Sequence, residues 1–205
     1  MSPPDYTRAR RDLARRDPVL AGVIRRVGAC RLGQGDHRSL FHVLLGTIVS
    51  QQLSAKAAAT IHGRVVALAG GGNPAPQALL SVQPAALRAA GLSTRKVEYV
   101  RDLAGRVMAG TLAARHISHL SDEDAIAELV KVRGIGRWSA EMVLIFHLLR
   151  PDVLPLDDVS LLNAAQRVYG LRTRPTPARF TRLAEPWRPW RSVACWYLWA
   201  AADGE

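Results

Sequence analysis

Residues 129–146 read LVKVRGIGRWSAEMVLIF, in which an apolar helical run, a Gly134-Ile135-Gly136 turn and a second apolar helical run follow one another directly. The two glycines free the backbone for a tight reversal, and Ile135 between them is placed to plug the interface of the two helices. The second helix opens with amides that have no partner inside the helix. Those of Gly134, Gly136 and the first turn, flanked by Arg133 and Arg137, form a small nest for an anion with the positive helix end behind it. A backbone phosphate fits such a nest without any base being read.

Downstream, the chain runs RPDVLPLDD over 150–158 and brings Asp157 and Asp158 to the start of another apolar helix. Aspartate is a preferred N-cap, so one of a pair can cap while the other remains an ionised carboxylate suited to act as a base or to stabilise a cation. No segment reads as a period-two strand, whereas Ala, Leu and Arg recur at helical spacing between breakers such as GGGNPAP, GLST, RGIG and PDVLP, so an all-α chain is expected. Helices are predicted over 6–16, 19–27, 39–52, 55–69, 84–90, 95–108, 122–131, 137–149, 159–169, 177–183 and 190–201, with 70–76 a loop. Ser121 reads as an N-cap and Gly170 as a helix stop. So many helices need more than one bundle layer. The expected division is a central bundle over 37–150 and a second lobe formed by 1–36 with 151–205, the site lying in the cleft between them.

The 205 residues carry 28 Lys plus Arg against 17 Asp plus Glu, a formal charge of +11, with 48% hydrophobic and 22% charged residues. That is globular composition, not disorder. The apolar runs at 142–146 and 194–202 fall far short of the roughly 20 residues needed to cross a bilayer. The N-terminus has no apolar core of a secretory signal, so a cytoplasmic protein without a membrane partner is expected. Cys30 and Cys195 cannot supply a Cys-held metal site. The six histidines show no ligand spacing, and His37, His42 and His147 read as packing or surface residues. The positive charge is 25 Arg against 3 Lys. It favours an anionic partner, although arginine bias can equally reflect genome composition.

The turn, in its hydrophobic-x-Gly-hydrophobic-Gly-x-x-x-Ala form with Val132, Gly134, Ile135, Gly136 and Ala140, resembles the helix-hairpin-helix motif. A hairpin followed about twenty residues later by such an aspartate resembles the helix-hairpin-helix superfamily of DNA base-excision glycosylases. Further blocks are similar to the 3-methyladenine DNA glycosylase II family: LLGTIVSQQLSAKAA at 44–58, GLSTRKVEYVRDLA at 91–104, GIGRWSAEMVL at 134–144, RPDVLPLDD at 150–158 and WRPWRSVACWYLW at 187–199. Together they span nearly the whole chain from Ser39 onward.

The resemblance implies a helix-hairpin-helix DNA glycosylase fold and a monomeric, cofactor-free enzyme acting on double-stranded DNA with damaged bases. The target nucleotide is flipped out and Asp158, which leads into the next helix, helps break the N-glycosidic bond, with Asp157 as the capping neighbour. Trp138 stands where bifunctional relatives carry a Schiff-base lysine, which implies a monofunctional enzyme that leaves an abasic site. Trp138, Met142 and Trp199 are implied to line the base pocket, where an indole face attracts a cationic alkylated purine. At least half of the aromatics Trp187, Trp190, Trp196, Tyr197 and Trp199 are expected to be core. Gln52 matches the residue that wedges into the duplex, beside Gln51. Arg133, Gly134, Gly136, Arg137 and Ser139 are implied DNA contacts. A monovalent cation at the backbone carbonyls of Val130, Val132 and Ile135 is an option in such a family and not a requirement. The competing readings are a glycosylase of the same fold for uracil, hypoxanthine or oxidised bases, and a non-catalytic DNA-structure binder.

Overall fold

The computed structural model describes residues 5–34 and 38–203, and every regular element among them is helical. In chain order these are α1 (Tyr6–Arg16), α2 (Pro18–Val27), α3 (Leu40–Ser50), α4 (Ala55–Leu68), α5 (Pro76–Ser81), α6 (Pro84–Ala89) and α7 (Thr94–Met108). There follow α8 (Ala114–His119), α9 (Asp122–Leu129), α10 (Arg137–Phe146), α11 (Val159–Val168), α12 (Pro177–Leu183), a 3₁₀ turn at Glu185–Trp187 and α13 (Arg191–Asp203). The all-α expectation therefore holds. His37 and the expected boundary at 36/37 lie outside the described residues.

Local chemistry explains where most helices begin. Asp5, Asp17, Ser39, Ser54, Ser93, Ser121, Asp158 and Thr176 each accept the amide three residues on, satisfying one donor that the helix leaves unpaired. Each such cap is worth about 1 kcal/mol. Gly170 ends α11 at φ +60, the left-handed stop expected of it.

Several boundaries differ from the sequence expectation. Helix α3 stops at Ser50 rather than 52 because Gln51 turns extended (ψ 130) and Gln52 takes φ +58. Helix α10 stops at Phe146 rather than 149, and the chain leaves through Leu149 at φ +54 while the Arg150 amide returns to the Leu144 carbonyl at 2.9 Å. A side chain on Gly33 would overlap the Leu149 side chain. Helices α5 and α8 were not expected. Each is six residues long, starts without a side-chain cap, and is held by one fully buried apolar residue, Leu79 or Ile117.

The chain divides into two units, one of residues 38–143 and one of 5–34 with 144–203; the division falls inside α10. In the first unit α3 packs on α4 and α7, and α5 packs on α7. Leu44, Leu45, Ile48, Val49, Val100 and Leu103 are fully buried there. Burying each such side chain stabilises the fold by about 1.5–3 kcal/mol.

In the second unit α1 and α2 pack on each other and on α13, and α11 packs on α13. Leu13, Leu20, Leu161, Phe180, Trp187 and Tyr197 are buried to completion. Its polar centre is Asp17, 8% exposed. One oxygen caps α2 by accepting the Leu20 amide at 3.0 Å; the other accepts the Tyr169 hydroxyl at 2.5 Å and the Trp187 indole N–H at 2.8 Å. Burial, and then the bond to Asp17, push the Tyr169 phenol above its ordinary pKa, so it stays a donor. Asp17→Asn puts an amide N–H₂ where an acceptor is needed. It is expected to lower unfolding free energy by about 2–3 kcal/mol, read by denaturant titration; a change within experimental error would refute this role.

Cys30 and Cys195 are free and buried, and burial pushes the Cys30 thiol up to about 11. No helix among the described residues is long and apolar enough to cross a membrane.

Candidate functional site

Asp158 sits where an extended loop turns into α11, and it is 5% exposed. Its Oδ1 accepts the Leu161 amide at 2.6 Å and the Ser160 hydroxyl at 2.6 Å. The expected division of labour between the two aspartates is thereby corrected. Asp158 is itself the cap and Asp157 is exposed, because only the residue directly preceding the first helical turn can reach the third amide beyond it. One carboxylate thus has both parts, with the helix end favouring its negative charge.

The loop that delivers Asp158 is clamped to the start of α13. Asp152 accepts Arg191 Nε at 2.8 Å, Arg191 Nη2 at 2.9 Å and Arg188 Nη1 at 2.9 Å. The Ser192 amide donates to the Pro151 carbonyl at 3.0 Å, and the Ser192 hydroxyl, fully buried, accepts the Val153 amide at 2.9 Å. The same helix carries Trp199, whose indole N–H donates to Ser160 Oγ at 3.2 Å and whose ring lies 5.5 Å from that of Phe146. Asp158, Ser160, Trp199 and Phe146 therefore form one connected group. Of the five C-terminal aromatics Trp187 and Tyr197 are fully buried, fewer than the expected half; Trp190, just before α13, and Trp196 and Trp199 on it are half-buried. On α10, Trp138 is 48% exposed and Met142 follows it by one turn.

The hairpin has the expected form. Ile135 is buried, Ala140 is fully buried, and Gly134 adopts φ +85. A side chain on Gly134 would overlap the Tyr99 ring, so glycine is required twice over. Two of the expected contacts are modified. The Arg137 guanidinium already forms a two-pronged pair with Glu123, at 2.7 and 3.0 Å, and reaches Glu141 at 3.0 Å. Ser139 is 7% exposed and offers almost no surface, because it faces inward on α10. The Arg133 amide is also engaged, by Asp102 at 3.0 Å, while its side chain is exposed.

Gln51 and Gln52 form the turn after α3. Gln52 is exposed at φ +58; Gln51 donates its amide Nε2 to the Gly134 carbonyl at 2.7 Å, joining this turn to the hairpin. The carbonyl of Val132 accepts the Ile135 amide at 3.0 Å and retains its second lone pair. Among the described residues no group of three or more His, Cys, Asp or Glu could hold a metal.

Ser160, Phe146, Tyr99, Asp152 and Ser192 were not expected from sequence. The serine two places after Asp158 was the available signal, since Asp-x-Ser at a helix start commonly shares one hydroxyl.

A family model described as HhH-GPD superfamily base excision DNA repair protein matches residues 45–189. DNA-3-methyladenine glycosylase 1 of Schizosaccharomyces pombe is 32% identical over 196 residues, covering 94% of this chain and 86% of that protein. A crystal structure of DNA-3-methyladenine glycosidase from Bacillus halodurans superposes with a TM-score of 0.84 at 38% identity, covering 93% of this chain and 87% of that one. The S. pombe 3-methyladenine DNA glycosylase in complex with abasic DNA also gives 0.84, at 31% identity over 96% of this chain and 97% of the other.

Proposed function

We propose that this chain, which belongs to the HhH-GPD superfamily of base excision DNA repair proteins, is a monofunctional DNA glycosylase that removes alkylated purines from duplex DNA. The observation that carries the reading is the Asp158 carboxylate, buried and oriented by Leu161 and Ser160 beside the indole of Trp199.

The hairpin amides and the exposed Arg133 take a backbone phosphate, and Gln52 enters the gap left by the extruded nucleotide. Alkylation at N3 or N7 gives a purine ring a positive charge, which the indole faces of Trp138 and Trp199 attract by roughly 0.5–2 kcal/mol. As the base leaves with the glycosidic electron pair, positive charge develops on the sugar. Asp158 stabilises that charge and orients or deprotonates the water that attacks it. Trp138 has no nucleophilic amine, so no covalent sugar intermediate forms there. A monovalent cation at the carbonyls of Val130, Val132 and Ile135 would add positive charge facing a phosphate.

The test is a labelled duplex bearing alkylated purines, incubated with the protein and resolved with and without hot alkali. Breaks confined to the alkali-treated sample are expected. Breaks without alkali would overturn the monofunctional assignment, and no base release from alkylated duplex would overturn the substrate class.

A further inference from the structure

Lys96 occupies a position its own helix disfavours. It is the third residue of α7, where the helix end is positive and acids are preferred, yet that first turn holds no acid. The ammonium is drawn across to the negative end of α3 instead, donating to the carbonyls of Val49 and Gln51 at 2.7 Å each. Both carbonyls belong to the end of α3, where a helix leaves its acceptors unpaired. Partial burial lowers the Lys96 pKa, and two hydrogen bonds to carbonyls hold the ammonium in place.

The turn so held is the one in which Gln52 has φ +58. A non-glycine residue keeps such a conformation only where its surroundings over-determine it. Lys96 fixes the carbonyl immediately before Gln52, and the Gln51 side chain fastens the same turn to the Gly134 carbonyl. Three residues further along α7, Tyr99 lies against Gly134, and after three more Asp102 accepts the Arg133 amide. Residues at this spacing share a helix face, so one face of α7 braces both the turn and the hairpin.

We infer that Lys96 is a positioning residue for base extrusion: it holds the Gln51-Gln52 turn in the shape that enters the duplex, with Gln51 setting that turn against the hairpin. The inference rests on the glycosylase reading above.

The test compares wild type, Lys96→Met and Lys96→Arg in single-turnover release of one 7-methylguanine, placed either opposite cytosine or opposite an abasic site. A lesion with no partner needs little help to leave the helix. Lys96→Met is expected to slow release opposite cytosine by about tenfold or more and release opposite the abasic site by less than about twofold, with Lys96→Arg restoring most of the loss. Equal slowing on both substrates, or none on either, would overturn the inference. Amide hydrogen exchange over residues 49–54 separates this from a failure of the glycosylase reading. If the wild type releases no base at all, faster exchange in Lys96→Met still supports the positioning role, and unchanged exchange overturns it.

Discussion

Asp158→Asn is expected to lower base release by about 10²–10⁴-fold while leaving the protein folded and able to bind duplex DNA. The two effects separate because Asp158 has two tasks that asparagine meets unequally. As a cap it accepts the Leu161 amide at 2.6 Å, and an asparagine carbonyl does this nearly as well. As a carboxylate it supplies, in the proposed reaction, the negative charge against which positive charge develops on the sugar, and asparagine has none. Asp158→Ala removes both, so it should share the kinetic defect and also lose about 1 kcal/mol of stability. Single-turnover release and denaturant titration on both variants provide the check; a near-wild-type rate in Asp158→Asn would remove this residue from the chemistry.

The second large effect is expected at Gly134→Ala. The position has φ +85, which an L-residue adopts at a penalty of roughly 1–2 kcal/mol. The added methyl also overlaps the Tyr99 ring, which leans on the hairpin from α7. Together these should reduce stability by about 2–4 kcal/mol and weaken binding to undamaged duplex by about tenfold or more, since the displaced turn also carries the amides proposed to meet a phosphate. The Gly134→Ala, Tyr99→Ala double variant relieves the overlap but not the dihedral. It should therefore recover part of the hairpin geometry and never all of it. Binding measured across a salt series would decide the matter, and wild-type affinity in the single variant would refute the phosphate nest.

The hairpin was legible in sequence because its requirements are local: two glycines, an apolar plug and a small residue at the crossing leave few alternatives. The pair Asp157 and Asp158 was legible through its place before a helix, and the resemblance points to Asp158 with Asp157 as its cap; that Asp158 is itself the cap was not legible, since composition cannot tell which of two adjacent acids is the last residue outside the helix. Helices α5 and α8 were missed because six residues give too little periodicity, and their stability comes from Leu79 and Ile117 finding a core. In sequence Arg137 reads as a flank of the anion nest. Its partner Glu123 is fourteen residues away, and only tertiary structure brings them together. Lys96 was invisible for the same reason, although a lysine in the first turn of a helix without an acid is a local misfit that could have drawn notice.

The unit that carries Asp158 is threaded from distant parts of the chain: α1 and α2 need α11 and α13 as packing partners. Synthesis is directional, so the ribosome releases the first two helices long before their partners exist. At roughly 5–20 residues per second they wait on the order of ten seconds, with Leu13 and Leu20 uncovered and Asp17 without Tyr169 and Trp187. The hairpin turn and the Gln52 turn lie in a unit of consecutive residues, which is synthesised in the meantime. The early helices are thus the segment that stays exposed longest during synthesis.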